Sequence, residues 1–490
     1  NDASARMRFL PAGRHVPRRE PIMNALDQLP IVVVGAGPVG LAAAAQLATR
    51  GIRFLVLEAS DGVAASFKST AHVALFSPWK MNIDAAAARV LEQRGWSAPD
   101  PDAMPTAGEV RSRYLEPLAE ALAPHVHYGT RVERISRRGF DKVKSEGRER
   151  APFVLRVRSH GRIEEREARA VIDATGTWGS PNWMGANGLP ALGEEEHAAR
   201  IRYGMPDVLG DERERYANQH VLVVGSGHSA MGSLLALAKL AEREARTRIA
   251  WAIRGDNLQR IFGGGAKDGL SERGNLGLAL QRVIDGGSLE LLRAFQIESV
   301  SEQLAQLEVV GMGADGSRRT IAGLDQIVVA TGARPDLTLA RELRLRLDPW
   351  LESTEQLAPL IDPNVHSCGS VPPHGHRQLA HPEPDYYAIG AKSYGRAPNF
   401  LLATGYEQAR SVVAALAGDL AAADDVQLVL PETGVCTTDF ADNTSCGGGS
   451  CETPASPRVT SGCCPVGENP AASACSPAAK KPPASSGCCG

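Results

Sequence analysis

The chain has 490 residues, 43% of them hydrophobic and 22% charged, the balance of a soluble globular protein with room for two or three domains. A formal net charge of −3 gives no general attraction to nucleic acid or to an acidic membrane surface. The longest apolar run, VGLAAAAQLA, is too short to span a bilayer.

The opening residues, NDASARMRFLPAGRHVPRREPIM, are basic, contain proline and have no apolar core. They do not read as a secretory signal, so residues 1–27 are expected to be a flexible extension and the address cytoplasmic. Of the nine cysteines, Cys368 alone precedes position 430. The body therefore has no disulfide framework, which fits a reducing compartment.

The first periodic element is LPIVVV, Leu29 to Val34, a buried strand. GAGPVG follows, with Pro38 at the first helical position, and then an Ala-rich helix closed by Gly51. FLVL, Phe54 to Leu57, is the next strand and ends in Glu58. In this βαβ unit Gly35 makes the tight turn and Gly37 lets backbone approach a pyrophosphate. Gly40 brings helix close to strand, and Glu58 is placed to accept from a ribose. Val132, further on, joins the candidate cofactor-binding residues.

PFVLRVRSHGRIEEREARAVI reads as strands around a Gly turn and runs into DATG, with Thr175 and Gly176. The βαβ grammar then returns: QHVLVV, GSGHSA, a Leu- and Ala-rich helix, and the strand RIAWAIR. Gly225, Gly227 and Ala230 take the three small-residue positions, with Ser229 among them. Arg254 at the end of the next strand would attract a 2′-phosphate where an acid would repel it, favouring NADPH over NADH. The alternative reading of Arg254 is a solvated strand-end charge. LEVVG, RRTIAGL and QIVVATGARPD follow, the last carrying Thr331 and Gly332. Residues 399–417 are periodic and apolar on one face, so a long helix is expected there.

These motifs together resemble the two-dinucleotide-binding flavoproteins. GAGPVG with Glu58 resembles their FAD site, GSGHSA their NADP site, and DATGTWGSP and VVATGARPD their two crossovers between domains. Within that class the chain resembles flavin-containing monooxygenases, whose marker has the form FxGxxxHxxx(Y/F). LGEEEHAARIRY keeps Gly193 and His197 at that spacing, with Ala191 and Ile201 at the aromatic positions. The resemblance, over roughly residues 29–420, implies an α/β fold of two Rossmann-like dinucleotide-binding domains, the NADP domain inserted in the FAD domain. The shift to Gly, Pro, Ser, Thr and Cys near Pro431 adds a disordered Cys-rich C-terminal tail. The boundaries read as 28–185 and 325–425 for the FAD domain, 186–324 for the NADP domain and 426–490 for the tail. Bound FAD would be reduced by NADPH and would oxygenate a nucleophilic small molecule.

The same resemblance puts LFSPWKMNID, Leu75 to Asp84, near the isoalloxazine. Asn82 is then a catalytic candidate, with Lys80 beside it; alternatively Trp79 is core and Asn82 caps the helix that begins at DAAAA. Gly390-Ala391 stands where relatives carry Gly-Asp. Beyond it, a helix near Asn399 would direct its dipole at the reduced ring, with Lys392 or Arg396 adding positive charge; the alternative is a packing helix with solvated basic residues. His366, Cys368, His374, His376 and His381 crowd together without matching a zinc spacing and read as a loop with surface histidines.

Disulfide reductases of this class carry a cysteine pair near the flavin. DGVAASFKSTAHVALFSPW has none, and neither has the second nucleotide site. The tail instead carries Cys463-Cys464 and Cys488-Cys489. Paired thiolates suit soft ions, and mercuric reductase is similar in carrying a Cys-Cys pair at its extreme C-terminus. From Pro431 to Cys489 a coil would reach about 40 Å. Two readings of the tail stand. One is an NADPH-dependent reductase of a thiophilic metal, metalloid or disulfide, with Cys488 and Cys489 acting in turnover and all four thiols as metal ligands; the other is a thiol-rich segment apart from turnover. A third reading makes the chain a metal-binding or redox-sensing flavoprotein whose turnover is incidental.

Overall fold

The structure, a computed structural model, describes residues 26–262, 271–365 and 371–428. Cys463, Cys464, Cys488 and Cys489, with His366 and Cys368, lie outside them. No helix among the described residues is long and apolar enough to cross a membrane.

The chain builds the same sequence of elements twice. In the first pass β1 (Ile31–Val34) leads through α1 (Pro38–Thr49) to β2 (Phe54–Leu57). The helix α2 (Ala85–Glu92) and β3 (Val126–His127) follow. An antiparallel meander comes next: β4 (Thr130–Arg137), β5 (Phe153–Ser159) and β6 (Arg162–Ala168). β7 (Ala170–Asp173) then returns beside β1. In the second pass β8 (Ile201–Tyr203) precedes β9 (His220–Val224), α3 (His228–Ala241), β10 (Arg248–Ala252) and β11 (Glu290–Leu292). The meander recurs as β12 (Gln296–Gln303), β13 (Gln306–Met312) and β14 (Arg318–Leu324) before β15 (Gln326–Val329). β16 (Tyr386–Ala388) and α4 (Leu402–Leu416) close the body.

Two five-stranded sheets result, ordered β16-β7-β1-β2-β3 and β11-β10-β9-β15-β8, and every pairing in both is parallel. Parallel sheets are covered on both faces, which is why β1 reads IVVV and β9 HVLVV without polar alternation and why every residue of both is buried. Val32 and Val34 pack on the meander side with Leu155 and Val157, while Ile31 and Val33 pack with α1 and α4. α1 stops where the sequence says it should: Gly51 takes φ +65 and its N–H bonds back to the Ala48 carbonyl at 3.0 Å.

One expectation shifts, and one strand carries no sequence signal. The last long helix begins at Leu402, not near Asn399, because Leu401 is extended (φ −119, ψ 146). β12 is a strand that QIESVSEQ does not announce. A bulge between Ile297 and Ser299 puts its buried positions, Ile297 and Val300, three apart, the spacing of a helix.

Candidate active site

Each sheet presents a glycine turn at the carboxyl ends of its strands, the place where such sheets bind ligands. Gly35 has φ +102, and a Cβ there would lie 2.8 Å from the Ala174 carbonyl oxygen. At Gly40 a Cβ would lie 2.1 Å from the Gly35 oxygen, so the helix can sit on the turn only without a side chain. At Gly37 a Cβ would meet no atom within 4 Å. That opening lies against the first turn of α1, whose N–H groups have no intrahelical partners. Glu58 stands at its lip: Oε2 accepts from the Ala36 N–H at 2.7 Å, and Oε1 from the N–H and hydroxyl of Ser60 at 2.8 and 2.6 Å. Oε2, with one bond accepted, keeps a further lone pair for a ribose hydroxyl. Val132 lies in β4, whose first residue, Thr130, donates its N–H to the Glu58 carbonyl at 2.8 Å.

The second turn repeats the first. Gly225 has φ +126, and a Cβ there would lie 2.3 Å from the Ala330 oxygen; at Gly227 a Cβ would again meet nothing within 4 Å. Ala230 is fully buried, and the Trp251 indole N–H bonds the Gly225 carbonyl at 2.7 Å. Ser229 lies in the first turn of α3. Arg254 follows β10, exposed, its guanidinium 3.4 Å from the Ala186 carbonyl.

The two crossovers are stitched together. Asn182 donates its N–H to the Gly332 carbonyl at 2.9 Å and its amide to the Thr331 carbonyl at 3.1 Å. Thr331 returns its hydroxyl to the Asn182 carbonyl at 2.6 Å, and Arg334 donates to Asn182 Oδ1 at 2.9 Å. Gly176 and Gly332 both turn at positive φ, +68 and +85. Asn182 belongs to no motif, so the sequence reading passes over it.

Lys392 carries a different role from the one its sequence position suggests. Its Nζ donates to Asp173 Oδ2 at 2.7 Å and to the Thr175 hydroxyl at 3.0 Å, and the Lys and Asp side chains are 3% and 0% exposed. Tyr386 and Thr175 donate their hydroxyls to the same carboxylate at 2.9 and 2.7 Å. The ammonium charge is thus compensated inside the body rather than left for a flavin ring, and burial beside Asp173 holds the Tyr386 phenol well above its usual range. Arg396 pairs with Glu352 at 2.9 Å, both partly exposed. Gly390, at φ +72, donates its N–H to Gln408 Oε1 at 2.7 Å.

Asn82 and Lys80 part company. Asn82 is fully buried; its amide donates to the Ser77 and Pro78 carbonyls at 2.7 and 3.0 Å and its Oδ1 accepts from the Ser77 hydroxyl at 2.9 Å. The cap expected of it belongs to Asp84, whose Oδ1 accepts the Ala87 N–H at 2.9 Å at the start of α2. Trp79 is core, 1% exposed. Lys80 faces solvent, paired with Asp102 at 2.7 Å. The histidines have separate partners: His374 lies between the Pro372 carbonyl and the Gln408 amide at 3.0 and 2.9 Å, and His376 contacts Asp424 at 2.9 Å. Among the described residues no group of three or more His, Cys, Asp or Glu is placed to hold a metal ion.

The first cradle fits FAD. Besides the opening at Gly37, Asn399, 5% exposed and just ahead of α4, has an Oδ1 with no hydrogen-bond partner among the described residues, an acceptor in the segment expected at the flavin end.

Two dinucleotide cradles joined by paired crossovers define a flavoprotein of the two-dinucleotide-binding class. The family model for pyridine nucleotide-disulphide oxidoreductases matches residues 32–368, and the chain belongs to that family. Over 214 residues the chain is 32% identical to indole-3-pyruvate monooxygenase YUCCA1 of Oryza sativa subsp. japonica, 42% of this chain and 45% of that protein. The chain therefore spans about half the length of the curated relatives it matches. Among solved structures, the bacillithiol disulfide reductase Bdr of Bacillus cereus superposes with a TM-score of 0.59 at 18% identity, covering 80% of this chain and 99% of that one. Ornithine N-hydroxylase of Kutzneria sp. 744 superposes with 0.54 at 16%, covering 80% and 99%. At these identities the superpositions show the fold.

Proposed function

We propose that this chain is an NADPH-driven flavin monooxygenase acting on a small molecule with a nucleophilic nitrogen, sulfur or metalloid centre. The observation that carries the reading is the distribution of thiols: Cys368 is the one cysteine before position 430, so neither cradle contains a pair that could take electrons from a flavin. The similarity to an indole-3-pyruvate monooxygenase supports the same reading.

In this reading 28–185 and 325–425 form the FAD domain around Gly35, Gly37, Gly40 and Glu58, and 186–324 the NADP domain around Gly225, Gly227 and Ala230. FAD held at the first cradle would supply two-electron chemistry with NADPH and the centre that reacts with oxygen. Arg254 meets the 2′-phosphate of NADPH. Asn82 acts by holding the 77–82 turn, since its side chain is already engaged. Asp173 and Lys392 fix the root of the first crossover.

The test is to reduce the purified flavoprotein anaerobically with NADPH, mix it rapidly with oxygenated buffer and follow the flavin spectrum. A spectral transient distinct from oxidised and reduced flavin, shortened by substrate, is expected. Direct return to the oxidised spectrum would contradict the proposal.

A second reading rests on the adjacent thiols Cys463-Cys464 and Cys488-Cys489, which suit a thiophilic metal or metalloid. It requires that changing all four to serine abolish turnover.

A further inference from the structure

The turn that holds Asn82 is gripped from both cofactor sites. On one side the Phe76 ring, from the FAD-side segment, lies 5.1 Å from the ring of His228, centroid to centroid, with the planes 56° apart. His228 is the first residue of α3 and directly follows Gly227, so it sits where that helix offers its N–H groups. On the other side the Tyr406 hydroxyl, from the second turn of α4, donates to the Asn82 carbonyl at 2.9 Å and is buried. Between the two, the segment is stiff. The Asn82 side chain bonds both Ser77 and Pro78, and the N–H groups of Leu75 and Trp79 bond the carbonyls of Pro105 and Ala103 at 2.9 and 3.0 Å.

We infer that Phe76 is a positioning residue for the nicotinamide dinucleotide: its ring holds His228, and with it the start of α3, against the FAD-side turn. The inference rests on the assignment of the NADP site to α3. Contact between the rings orients the helix terminus that meets the pyrophosphate. By linkage, a nucleotide bound at α3 and the 75–82 turn stabilise each other, so a change at Phe76 alters nucleotide affinity from the opposite domain. Tyr406 carries the same constraint to α4, which makes the flavin surroundings a reporter of the nucleotide.

The test uses the full-length, FAD-loaded protein and NADP+ as the probe, with binding measured by calorimetry and by flavin difference spectra. Phe76→Leu is expected to weaken NADP+ roughly three- to tenfold and to flatten the NADP+-induced flavin difference spectrum, while Phe76→Tyr restores both. His228→Asn should weaken binding by a similar factor, and the double variant by no more than the weaker single one. Additive losses in the double variant, or Phe76→Leu binding within about twofold of the parent, would overturn the inference. Gly227→Asp separates this from the site assignment. If it abolishes binding while Phe76→Leu is unaffected, the positioning role alone fails. If it binds NADP+ like the parent, the site assignment fails.

Discussion

At the scale of single residues, steric facts and protonation facts lead to different experiments. Gly37 and Gly40 lie one helical turn apart, yet their substitutions should fail differently. A methyl at Gly40 collides with the Gly35 carbonyl at 2.1 Å, so Gly40→Ala is expected to lower both thermal stability and bound FAD. A methyl at Gly37 meets no protein atom within 4 Å, so Gly37→Ala should keep the apoprotein's melting temperature and lose FAD, because the methyl takes the phosphate's space. Flavin-to-protein absorbance ratios and melting curves of the two variants read this directly. His381 gives a pH dependence. Burial pushes its pKa from 6.5 to about 4, and its Nδ1 accepts the Arg346 N–H at 3.3 Å, a bond that protonation would break. Below the unfolded pKa of 6.5 the unfolded chain takes up a proton that the folded chain refuses until about 4, so stability falls as pH drops through that window. His381→Gln removes this penalty and should gain about 2 kcal/mol relative to the parent between pH 7 and pH 5 in urea denaturation. An unchanged difference would show that His381 is solvated. The glycines were legible in the sequence because their constraint is local. His381 was read as a surface histidine because the groups that bury it come from elsewhere in the chain.

At the scale of elements, buried ion pairs tie the return segment to the first pass of the chain. Asp173 ends β7 and Lys392 follows β16, so their pair joins two neighbouring strands at the root of a crossover. Glu383 does the same further back, between Arg137 at 2.8 Å and Arg148 at 2.8 Å, with the Arg137 guanidinium over the Phe153 ring at 3.6 Å. Removing one member of such a pair leaves an uncompensated buried charge. Lys392→Met is therefore expected to cost about 3–5 kcal/mol in denaturant unfolding, and adding Asp173→Asn to recover most of it. A double variant no more stable than the single one would show that Asp173 and Lys392 do not act as a pair. Strand and helix types along β1, α1, β9 and α3 followed from hydrophobic runs. These pairings did not, because Lys392 and Asp173 are 219 positions apart and nothing in either neighbourhood marks the other. β12 escaped for the opposite reason, its bulge giving a strand the apolar spacing of a helix.

At the scale of the whole molecule, duplication explains why so much of the architecture could be read in advance. Each pass runs strand, glycine turn, helix, strand, meander and returning strand, and in each the first glycine lies against the carbonyl that follows the returning strand, Ala174 or Ala330. Paired crossovers through Asn182, Thr331 and Arg334 then join the two passes, a constraint visible only once the chain is folded. Under the proposed function, electrons entering from a nucleotide at α3 would pass to a flavin at α1, in a body whose sequence carries no cysteine pair. That route is the central claim, and the tail thiols are the alternative exit. The most direct measurement compares the full chain with the same chain carrying serine at Cys463, Cys464, Cys488 and Cys489, following flavin reduction by NADPH and reoxidation by oxygen in one stopped-flow series. Equal rates for both steps in the two proteins are the expected result. A serine variant whose flavin is reduced normally but stays reduced in oxygenated buffer, while the parent's reoxidises, would contradict the account and make the tail the path of the electrons.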